Sequence, residues 1–370
     1  GDTHLHSSYS FDAGMFGNTL PPEEAYRFVR GEEVTSSTGL RIKLIRPLDF
    51  VVVADHAEYF GMSDMMANGD PVIQEDKVTA RWYKMRQGTQ EEGMQAFYEG
   101  VDSITKAENL VKNPAMQRSA WDKTLGFAEK YNDPGNFSAM IGFEWSSSPS
   151  GNNLHRVVIF GDGADKTSRT LPYSTFDSDD PEDLWSYLER YEATTGGRAI
   201  AVPHNGNLSN GLMFTRTDFS GRPMTRAYAE TRLRWEPIRE MTQVKGDEET
   251  HPVLSPEDEF ADYENWDVSN LDGSAPKTED MLQYEYARSA LKIGLELGAE
   301  IGANPFKFGM SAATDSHTGL ATSREENYFG KYQHTEPSAK RQGREVIPAA
   351  DPSLRIMTSQ EVASGLAAVW

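Results

Sequence analysis

Short runs of β-branched and other apolar residues alternate along this chain with segments of helical periodicity. This alternation restricts the possible folds more than any other feature of the sequence. The run FVVVA at residues 50–54 is typical of a strand buried on both faces. Similar runs, each next to polar residues, occur in SAMIGFEW (138–145), HRVVIFGD (155–162), AIAVPH (199–204) and GMSAATDSH (309–317). Helical patterns lie between the runs, at 113–133, 180–193 and 280–302. The alternation predicts an α/β fold with a mostly parallel sheet, either open or closed into a barrel.

The composition excludes several classes of protein. The chain has 370 residues, 38% of them hydrophobic, so it can form one large domain or two smaller ones. Its formal net charge of −21 repels nucleic-acid backbones, and we therefore expect no nucleic-acid partner. It has no cysteine, which excludes disulfides, thiolate metal sites and cysteine nucleophiles. No run of about eighteen apolar residues occurs, so we expect no membrane-spanning helix.

Histidine and carboxylate side chains gather at the ends of the predicted strands. Six of the eight histidines lie there together with three acidic residues: His4, His6, Asp55, His56, Glu144, His155, His204, Asp315 and His317. The carboxyl ends of parallel strands meet at one edge of a barrel or sheet. Imidazole and carboxylate groups are the usual ligands of Zn²⁺, Mn²⁺ and Fe²⁺. The sequence therefore predicts a metal cluster at this edge.

The spacing of two pairs supports this interpretation. His4 and His6 form an H-x-H pair, and Asp315 and His317 form a D-x-H pair. On a strand, residues two apart point to the same face. Each of these features alone is weak evidence for a metal site. A single pair, a single histidine or Glu144 could equally well be a buried side chain with a structural role. It is their joint occurrence in a histidine-poor chain that favours a metal site.

The order HLH…D…DH…E…H…PH…DSH, from residue 4 to residue 317, resembles the PHP superfamily, named after polymerase and histidinol phosphatase domains. The resemblance implies a distorted (β/α)7 TIM-like barrel with a di- or trinuclear metal site. It also implies a single domain over residues 1–370, with insertions at about 62–135 and 246–278 that build a lid or a substrate wall. The phrases GDTHLHSSYSFDAG, ADHAEYFG, QVKGDEETHP and ATDSHTGL further resemble a branch catalogued as a domain of unknown function. Its members are often exported bacterial proteins, so a periplasmic or secreted location is expected.

The resemblance also implies which residues bind the metals. The first metal would be bound by His4, His6, Glu144 and Asp315; the second would share Glu144 as a bridge and add His155 and His204; the third would be bound by Asp12, His56 and His317. Asp12 replaces a histidine that some members carry, and an oxygen ligand favours harder ions. We therefore expect two or three divalent ions, Mn²⁺ or Zn²⁺, with Fe²⁺ or Mg²⁺ also compatible with these ligands.

Such a cluster would place positive charge in the cleft of an acidic protein, where a tetrahedral anion can bind. Closely spaced metals lower the pKa of a bridging water to about 7, and the hydroxide can then attack an ester. We predict a metal-dependent hydrolase, a phosphatase or phosphoesterase acting on a small anionic ester. The predicted catalytic residues are Glu144, Asp315, His317 and Lys245. The alternatives are a sulfatase or amidohydrolase with the same cluster, or a non-catalytic PHP-like binding module. The oligomeric state stays open.

Three residues are candidates for substrate binding: Arg156, Asn205 and Lys245. Arg156 and Asn205 directly follow predicted histidine ligands. Lys245 lies in REMTQVKGD, a predicted strand whose carboxyl end should open on the edge that carries the metals. A structural or surface role is the alternative for each of the three. Asp55 is expected to accept a hydrogen bond from a ligand histidine and so to fix its tautomer.

Overall fold

The computed structural model describes residues 1–347, 349–362 and 364–369. Within these ranges the chain forms eleven α-helices and thirteen short strands. The helices are α1 (Phe11–Met15), α2 (Pro22–Val29), α3 (Met62–Ala67), α4 (Lys77–Arg86), α5 (Gln90–Thr105), α6 (Pro114–Tyr131), α7 (Ala164–Thr167), α8 (Pro181–Thr195), α9 (Arg226–Trp235), α10 (Glu279–Leu282) and α11 (Ala287–Ile301). The strands are β1 (Asp2–Leu5), β2 (Val34–Thr35), β3 (Arg41–Ile42), β4 (Phe50–Val53), β5 (Ser138–Trp145), β6 (Arg156–Phe160), β7 (Ala199–Pro203), β8 (Ile238–Glu240), β9 (Thr242–Gln243), β10 (Gly246–Asp247), β11 (Gly309–Ser311), β12 (Glu345–Ile347) and β13 (Ile356–Met357).

A five-stranded sheet lies at the centre of the fold, in the order β1, β4, β5, β6, β7. The strands β1, β4 and β5 are parallel neighbours. The strand β6 runs antiparallel to both of its neighbours, with Val158 opposite Phe143 on one side and Ala201 on the other. The carboxyl ends of β1, β4, β5 and β7 and the amino end of β6 therefore lie at one edge of the sheet.

The prediction of a distorted (β/α)7 TIM-like barrel is wrong, because the described part of the chain forms no closed barrel. The strands β8 and β11 form a separate parallel pair, and two pairings in the central sheet are antiparallel. The first reversal has a local cause. The connection between β5 and β6, residues 146–155, contains the short 3₁₀ turn Pro149–Gly151 and no α-helix, whereas a parallel connection needs a crossover of about a dozen residues or more. The fold is a mixed α/β structure built on a five-stranded, half-barrel sheet.

The segment that follows β11 packs against the edge of β1. The N–H of Asp315 donates to the carbonyl of His4 at 2.8 Å, and the N–H of His6 donates to the carbonyl of Ser316 at 2.9 Å. These two backbone bonds bring Asp315 and His317 beside the histidines of β1. Residues from opposite ends of the sequence thus meet at the edge where the sheet's strands end.

The helices cover the sheet with apolar faces that their sequences predict, as α8 illustrates. At its start, the side chain of Asp180 accepts a hydrogen bond from the N–H of Glu182 at 2.9 Å, and at its end Gly196 adopts the left-handed backbone that glycine tolerates (φ 65°). Its buried face includes Leu184, Trp185, Leu188 and Tyr191. Burial of each such side chain stabilises the fold by about 1.5–3 kcal/mol. None of the helices in the described ranges is long and apolar enough to cross a membrane.

The predicted insertion at 62–135 contains four helices, α3 to α6. The helix α5 starts with a capping box in which the side chains of Thr89 and Glu92 each accept a hydrogen bond from the other residue's N–H, at 3.2 and 2.8 Å. Phe97 of α5 packs on Phe11 and Phe16, with ring centroids 6.2 and 4.4 Å apart. This contact holds α5 against the N-terminal segment that carries several predicted ligands.

Candidate metal centre

Four predicted ligands converge at the edge where the strands of the central sheet end. The buried side chains of His4, His6, Glu144 and Asp315 each place one ligand atom within 4.8 Å of the others. Nε2 of His4 lies 2.9 Å from Nε2 of His6. Both nitrogens lie 3.0–3.4 Å from Oε2 of Glu144 and Oδ1 of Asp315. This group could hold a metal ion.

The separations within this group are those of ligands that share one ion. Ligand atoms about 2.0–2.2 Å from a tetrahedral ion lie roughly 3.3–3.6 Å from one another, and neighbours around a six-coordinate ion lie roughly 2.8–3.1 Å apart. The observed distances of 2.9–3.4 Å cover both arrangements. Oδ1 of Asp315 is buried and has no hydrogen-bond partner among the described residues. A buried polar atom without a partner destabilises the protein, and a cation bound here would remove that penalty.

Glu144 turns its two carboxylate oxygens to different histidines. Oε2 faces His4 and His6, whereas Oε1 lies 2.6 Å from Nδ1 of His155 and 3.0 Å from Nε2 of His204. The reversed direction of β6 accounts for His155, which precedes its strand and yet lies beside Glu144. A carboxylate with both oxygens so placed can bridge two ions.

The remaining predicted ligands lie next to this cluster. Nε2 of His317 is 3.1 Å from Oδ2 of Asp12 and 3.4 Å from Nε2 of His56. His6, His56 and His317 form a second group that could hold a metal ion. The side chains of Asp12 and His56 are 17% and 14% exposed, whereas that of Glu144 is 1% exposed. This part of the cluster is therefore its more accessible side.

The charges around Glu144 suit ligands that bind a cation. Burial opposes ionisation of Glu144, but the imidazoles of His56, His204 and His155 hold the pKa of its carboxyl group well below the usual range. Burial lowers the pKa of His155 to about 4, and it also lowers the pKa of His204 well below the usual value. Burial opposes protonation of His56, but the charges of Glu144 and Asp12 raise the pKa of its imidazole to about 9. Glu144 is therefore ionised at neutral pH, the state in which a carboxylate binds a divalent metal, and a metal bound to His56 would replace its proton.

A cavity of about 460 Å³ opens onto the cluster, within the size range of small-molecule sites. We call the part of its lining formed by predicted ligands and lysines the polar end: Asp12, His56, His155, His317, Lys245 and Lys331. The hydroxyls of Ser146 and Ser148 also line the cavity and lie 2.7 Å from Nδ1 of His56 and 2.8 Å from Nε2 of His155. A small molecule can therefore reach Asp12, His56, His155 and His317 from solvent.

Comparison with known families gives a match over the whole chain. The sequence model of a family described as protein of unknown function (DUF3604) matches residues 1–370. The chain belongs to this family. No curated protein and no solved structure matches it. Membership of this DUF3604 protein in the PHP superfamily stays a prediction.

Sequence reasoning missed the carboxylate that orients His4 in this DUF3604 protein. Oε1 and Oε2 of Glu240, at the end of β8, lie 3.3 and 3.1 Å from Nδ1 of His4. A carboxylate at Nδ1 fixes the tautomer of the ring and leaves Nε2 free to bind a metal. Glu240 lies at the carboxyl end of a strand, as Glu144 does, and this position is the signal that could have identified it.

Asp55 acts on a ligand histidine through an intervening hydroxyl rather than by the direct bond that we expected. Nδ1 of His6 lies 2.7 Å from Oγ of Ser10, which donates to Oδ1 of Asp55 at 2.9 Å. Asp55 also accepts hydrogen bonds from the N–H and the hydroxyl of Ser7, at 2.6 and 2.7 Å. Ser10 and Asp55 therefore hold the ring of His6 in the orientation that points Nε2 at the cluster.

Two buried lysines of this DUF3604 protein contact Asp315 at the polar end of the cavity. Lys245 forms an ion pair with Oδ2 of Asp315. It lies in the two-residue turn between β9 and β10, not at the end of a single long strand as predicted. Nζ of Lys331 lies 3.4 Å from the same oxygen and 3.1 Å from Nδ1 of His317. Sequence reasoning missed Lys331 because no strand pattern surrounds it.

The structure does not bring the predicted substrate residues Arg156 and Asn205 to the cavity. Nε of Arg156 lies 3.0 Å from Oε1 of the buried Glu236. Because side chains alternate along a strand, Arg156 points away from the face reached by the histidine before it. The side-chain oxygen of Asn205 accepts a hydrogen bond from Nε2 of Gln243 at 2.7 Å, and the same nitrogen donates to Oδ2 of Asp315 at 2.6 Å. Asn205 therefore supports a ligand indirectly, and Arg156 has a structural role.

Proposed function

We propose that this protein is a metal-dependent hydrolase that cleaves phosphoric esters of small molecules. The observation that carries the proposal is the convergence of His4, His6, Glu144 and Asp315 at separations suited to one ion, beside a cavity that two lysines line. The order of the candidate ligands along the chain, which resembles that of the PHP superfamily, supports the same reaction. We extend the proposal to membership in that superfamily.

The candidate ligands would hold two or three divalent ions. The first would take His4, His6, Glu144 and Asp315, whose ligand atoms lie within 4.8 Å of one another. The second would take Glu144, His155 and His204, and the third Asp12, His56 and His317, which are linked by pairwise contacts of 2.6–3.5 Å. Bound there, such ions supply positive charge to the ester oxygens and activate a water molecule as the nucleophile at neutral pH. Mixed nitrogen and oxygen donors suit Mn²⁺ and Zn²⁺, which we propose as the ions.

Residues of the chain itself bind and orient the ester. Lys245 and Lys331 place two ammonium groups at the polar end of the cavity, where Asp315 holds both. An ammonium group acts as a mobile point charge that can neutralise the non-bridging oxygens of a phosphate. Lys331 also lies beside His317, so it can donate a hydrogen bond to the leaving oxygen of an ester bound at that ligand.

The test combines metal analysis with a panel of esters. The metal content of the purified full chain is measured, and a phosphomonoester, a phosphodiester and a sulfate ester are offered with added Mn²⁺ or Zn²⁺. We expect release of phosphate, its loss in the presence of a chelator and its return when metal is added. Turnover of the sulfate ester alone would replace the proposal with a sulfatase. Bound metal without turnover of any ester would overturn it in favour of a binding module.

A variant of the bridging candidate sharpens this test. Glu144→Gln keeps the shape of the side chain but removes the charge that faces five histidines. We expect lower metal content and loss of hydrolysis with a retained fold, judged by circular dichroism. The matched control is Glu230→Gln, because Glu230 is 56% exposed and pairs with Arg226 on the surface. Normal metal content and turnover in Glu144→Gln would exclude the bridging role.

A further inference from the structure

The cavity beside the candidate metal centre has an apolar wall as well as its polar end. Val101 and Ile104 of α5 line it together with Phe16, Phe97 and Leu271. The ring centroids of Phe16 and Phe97 are 4.4 Å apart, so α5 and the N-terminal segment support each other in forming the wall. These side chains offer hydrocarbon surface to any molecule that enters the cavity.

The apolar wall is continuous with the candidate ligands. The ring of Tyr332 lies 4.8 Å from the ring of Phe16 and 5.0 Å from the ring of His317, measured between centroids. The hydroxyl of Tyr332 donates a hydrogen bond to Oδ2 of Asp12 at 2.9 Å. A molecule whose anionic group binds beside Asp12 and His317 would therefore lay its remaining atoms against aromatic and aliphatic side chains.

The charges of the lining restrict how many anionic groups such a molecule can carry. Among the described lining residues, the lysines are Lys245 and Lys331, and both belong to the polar end. Asp102 and Asp272 also line the cavity, and the net charge of the protein is −21. Oδ2 of Asp102 lies 2.7 Å from Nζ of Lys106, a residue that does not line the cavity. A second anionic group, away from the polar end, would meet a negative potential.

From the apolar wall and the confined positive charge we infer the substrate class: a phosphate monoester whose alcohol is an uncharged, apolar alkyl or aryl group. This inference rests on the proposed function. In the reaction, the oxygen of water forms a bond to phosphorus and the bond from phosphorus to the alcohol oxygen breaks. One proton of the water is transferred to that oxygen, so that the products are inorganic phosphate and a hydrophobic alcohol.

A series of n-alkyl phosphates from methyl to octyl tests the inference on the metal-loaded protein. The longer members release alcohols of nearly equal acidity, so differences in kcat/KM among them report contacts with the wall. We expect kcat/KM to rise about fourfold for each methylene until the cavity is filled, the factor that burial of a methylene supplies. Glycerol phosphate is close in size to the short members of the series, but its alcohol is polar. It should react at least as slowly as methyl phosphate. A flat or falling series would overturn the inference.

Substitutions in the apolar wall measure how much it contributes to the increase in kcat/KM with alkyl chain length. Val101→Thr keeps the shape of the side chain and adds a hydroxyl, and Ile104→Thr also shortens it. Both should reduce the increase in kcat/KM per methylene. The matched control is Val253→Thr, since Val253 is 48% exposed and does not belong to the cavity lining. An unchanged increase per methylene in both wall variants would show that the alkyl chain binds elsewhere.

Binding of n-alkylphosphonates separates this inference from the proposed function, because phosphonates carry no ester bond to cleave. Calorimetry on the metal-loaded protein should show octylphosphonate bound more tightly than methylphosphonate. If no phosphate ester is cleaved, the proposed function fails, and tighter binding of octylphosphonate still supports the ligand class. Equal affinity of the two phosphonates would overturn the inference even if esters are hydrolysed.

Discussion

Nδ1 of His4 lies 3.1 Å from Oε2 of Glu240, which ties a candidate ligand on β1 to the end of β8. Both side chains are buried. Burial opposes protonation of His4, but the nearby carboxylates, Glu240 foremost, raise the pKa of its imidazole well above the usual value. The carboxylate of Glu240 thus orients the ring so that Nε2 faces the cluster, and a metal that binds Nε2 replaces the proton that these carboxylates favour.

Glu240→Gln should lower metal affinity by about 10- to 100-fold, because the ring loses the charge that orients it. Affinity is measured by competition with a chelator of known strength. The exposed Glu230→Gln variant serves as the control. Wild-type affinity in a folded Glu240→Gln protein would show that Glu240 stabilises the fold without acting on the metal site.

Removal of metal should destabilise the protein. Without a cation, the buried cluster keeps carboxylate and imidazole groups in contact and leaves Oδ1 of Asp315 without a partner in the described chain. A ligand present at a hundred times its Kd stabilises the folded state by about 2.7 kcal/mol. We expect a chelator to lower Tm by several degrees and added Mn²⁺ or Zn²⁺ to restore it, as followed by scanning calorimetry. A Tm that does not respond to either treatment would contradict the presence of a resident metal.

Lys245→Ala should raise KM of the phosphomonoester reaction by roughly tenfold or more, since a hydrogen bond to a charged group contributes about 1.5–3 kcal/mol. If Lys245 contacts the ground state and the transition state equally, kcat is spared; if it acts on developing charge, kcat falls as well. Steady-state kinetics distinguish the two cases. The control is Lys292→Ala, at an exposed position on α11. Unchanged kcat/KM would remove Lys245 from the substrate site.

Asp247 should make stability depend on pH between about 4 and 6. Burial raises the pKa of its carboxyl group to about 6, although the N–H of Glu249 donates to it at 3.0 Å. The usual pKa is about 3.9, so the folded state binds more protons in this window than the unfolded state does. The free energy of unfolding therefore falls as pH rises from about 4 to 6, by at most about 1.4 kcal/mol per pH unit and by less after solvent screening.

Asp247→Asn removes this titration and keeps an acceptor oxygen for the N–H of Glu249. Urea denaturation of both proteins at several pH values measures the difference. The variant should show a smaller loss of stability than the wild type as pH rises through the window. Parallel pH profiles for the two proteins would disprove the assignment.

Two glycine-to-alanine changes should affect stability in opposite directions. A Cβ at Gly142, in β5, would lie 2.5 Å from the carbonyl oxygen of Val158 and 2.5 Å from Cγ1 of Val52. Because strands flank Gly142 on both sides, Gly142→Ala should destabilise the fold by roughly 1–3 kcal/mol. Apart from its chain neighbours and the adjacent helix backbone, a Cβ at Gly126 in α6 would have no described atom within 4 Å. Gly126→Ala should therefore stabilise the fold by about 1 kcal/mol. Denaturant unfolding of both variants checks the pair; equal effects would contradict the packing around β5.

Local sequence patterns sufficed to predict several elements of the fold. The run FVVV is β4, the pattern at 113–133 coincides with α6, and the pattern at 180–193 coincides with α8. The placement of histidines and carboxylates next to such runs was also visible locally, and the structure brings His4, His6, Glu144 and Asp315 together. Periodicity and composition are properties of a few neighbouring residues, so they can be read without knowledge of the fold.

The direction of β6 and the partners of Glu240 and Lys331 could not be predicted in this way. An apolar run looks the same whether its strand is parallel or antiparallel, because direction is set by hydrogen bonds to neighbouring strands. Glu240 and Lys331 reach His4 and Asp315 across long stretches of chain, through packing that no local pattern encodes. Short stretches of sequence thus determine which types of ligand residue the site contains. Its geometry is determined by backbone pairing between distant segments, which depends on the tertiary structure.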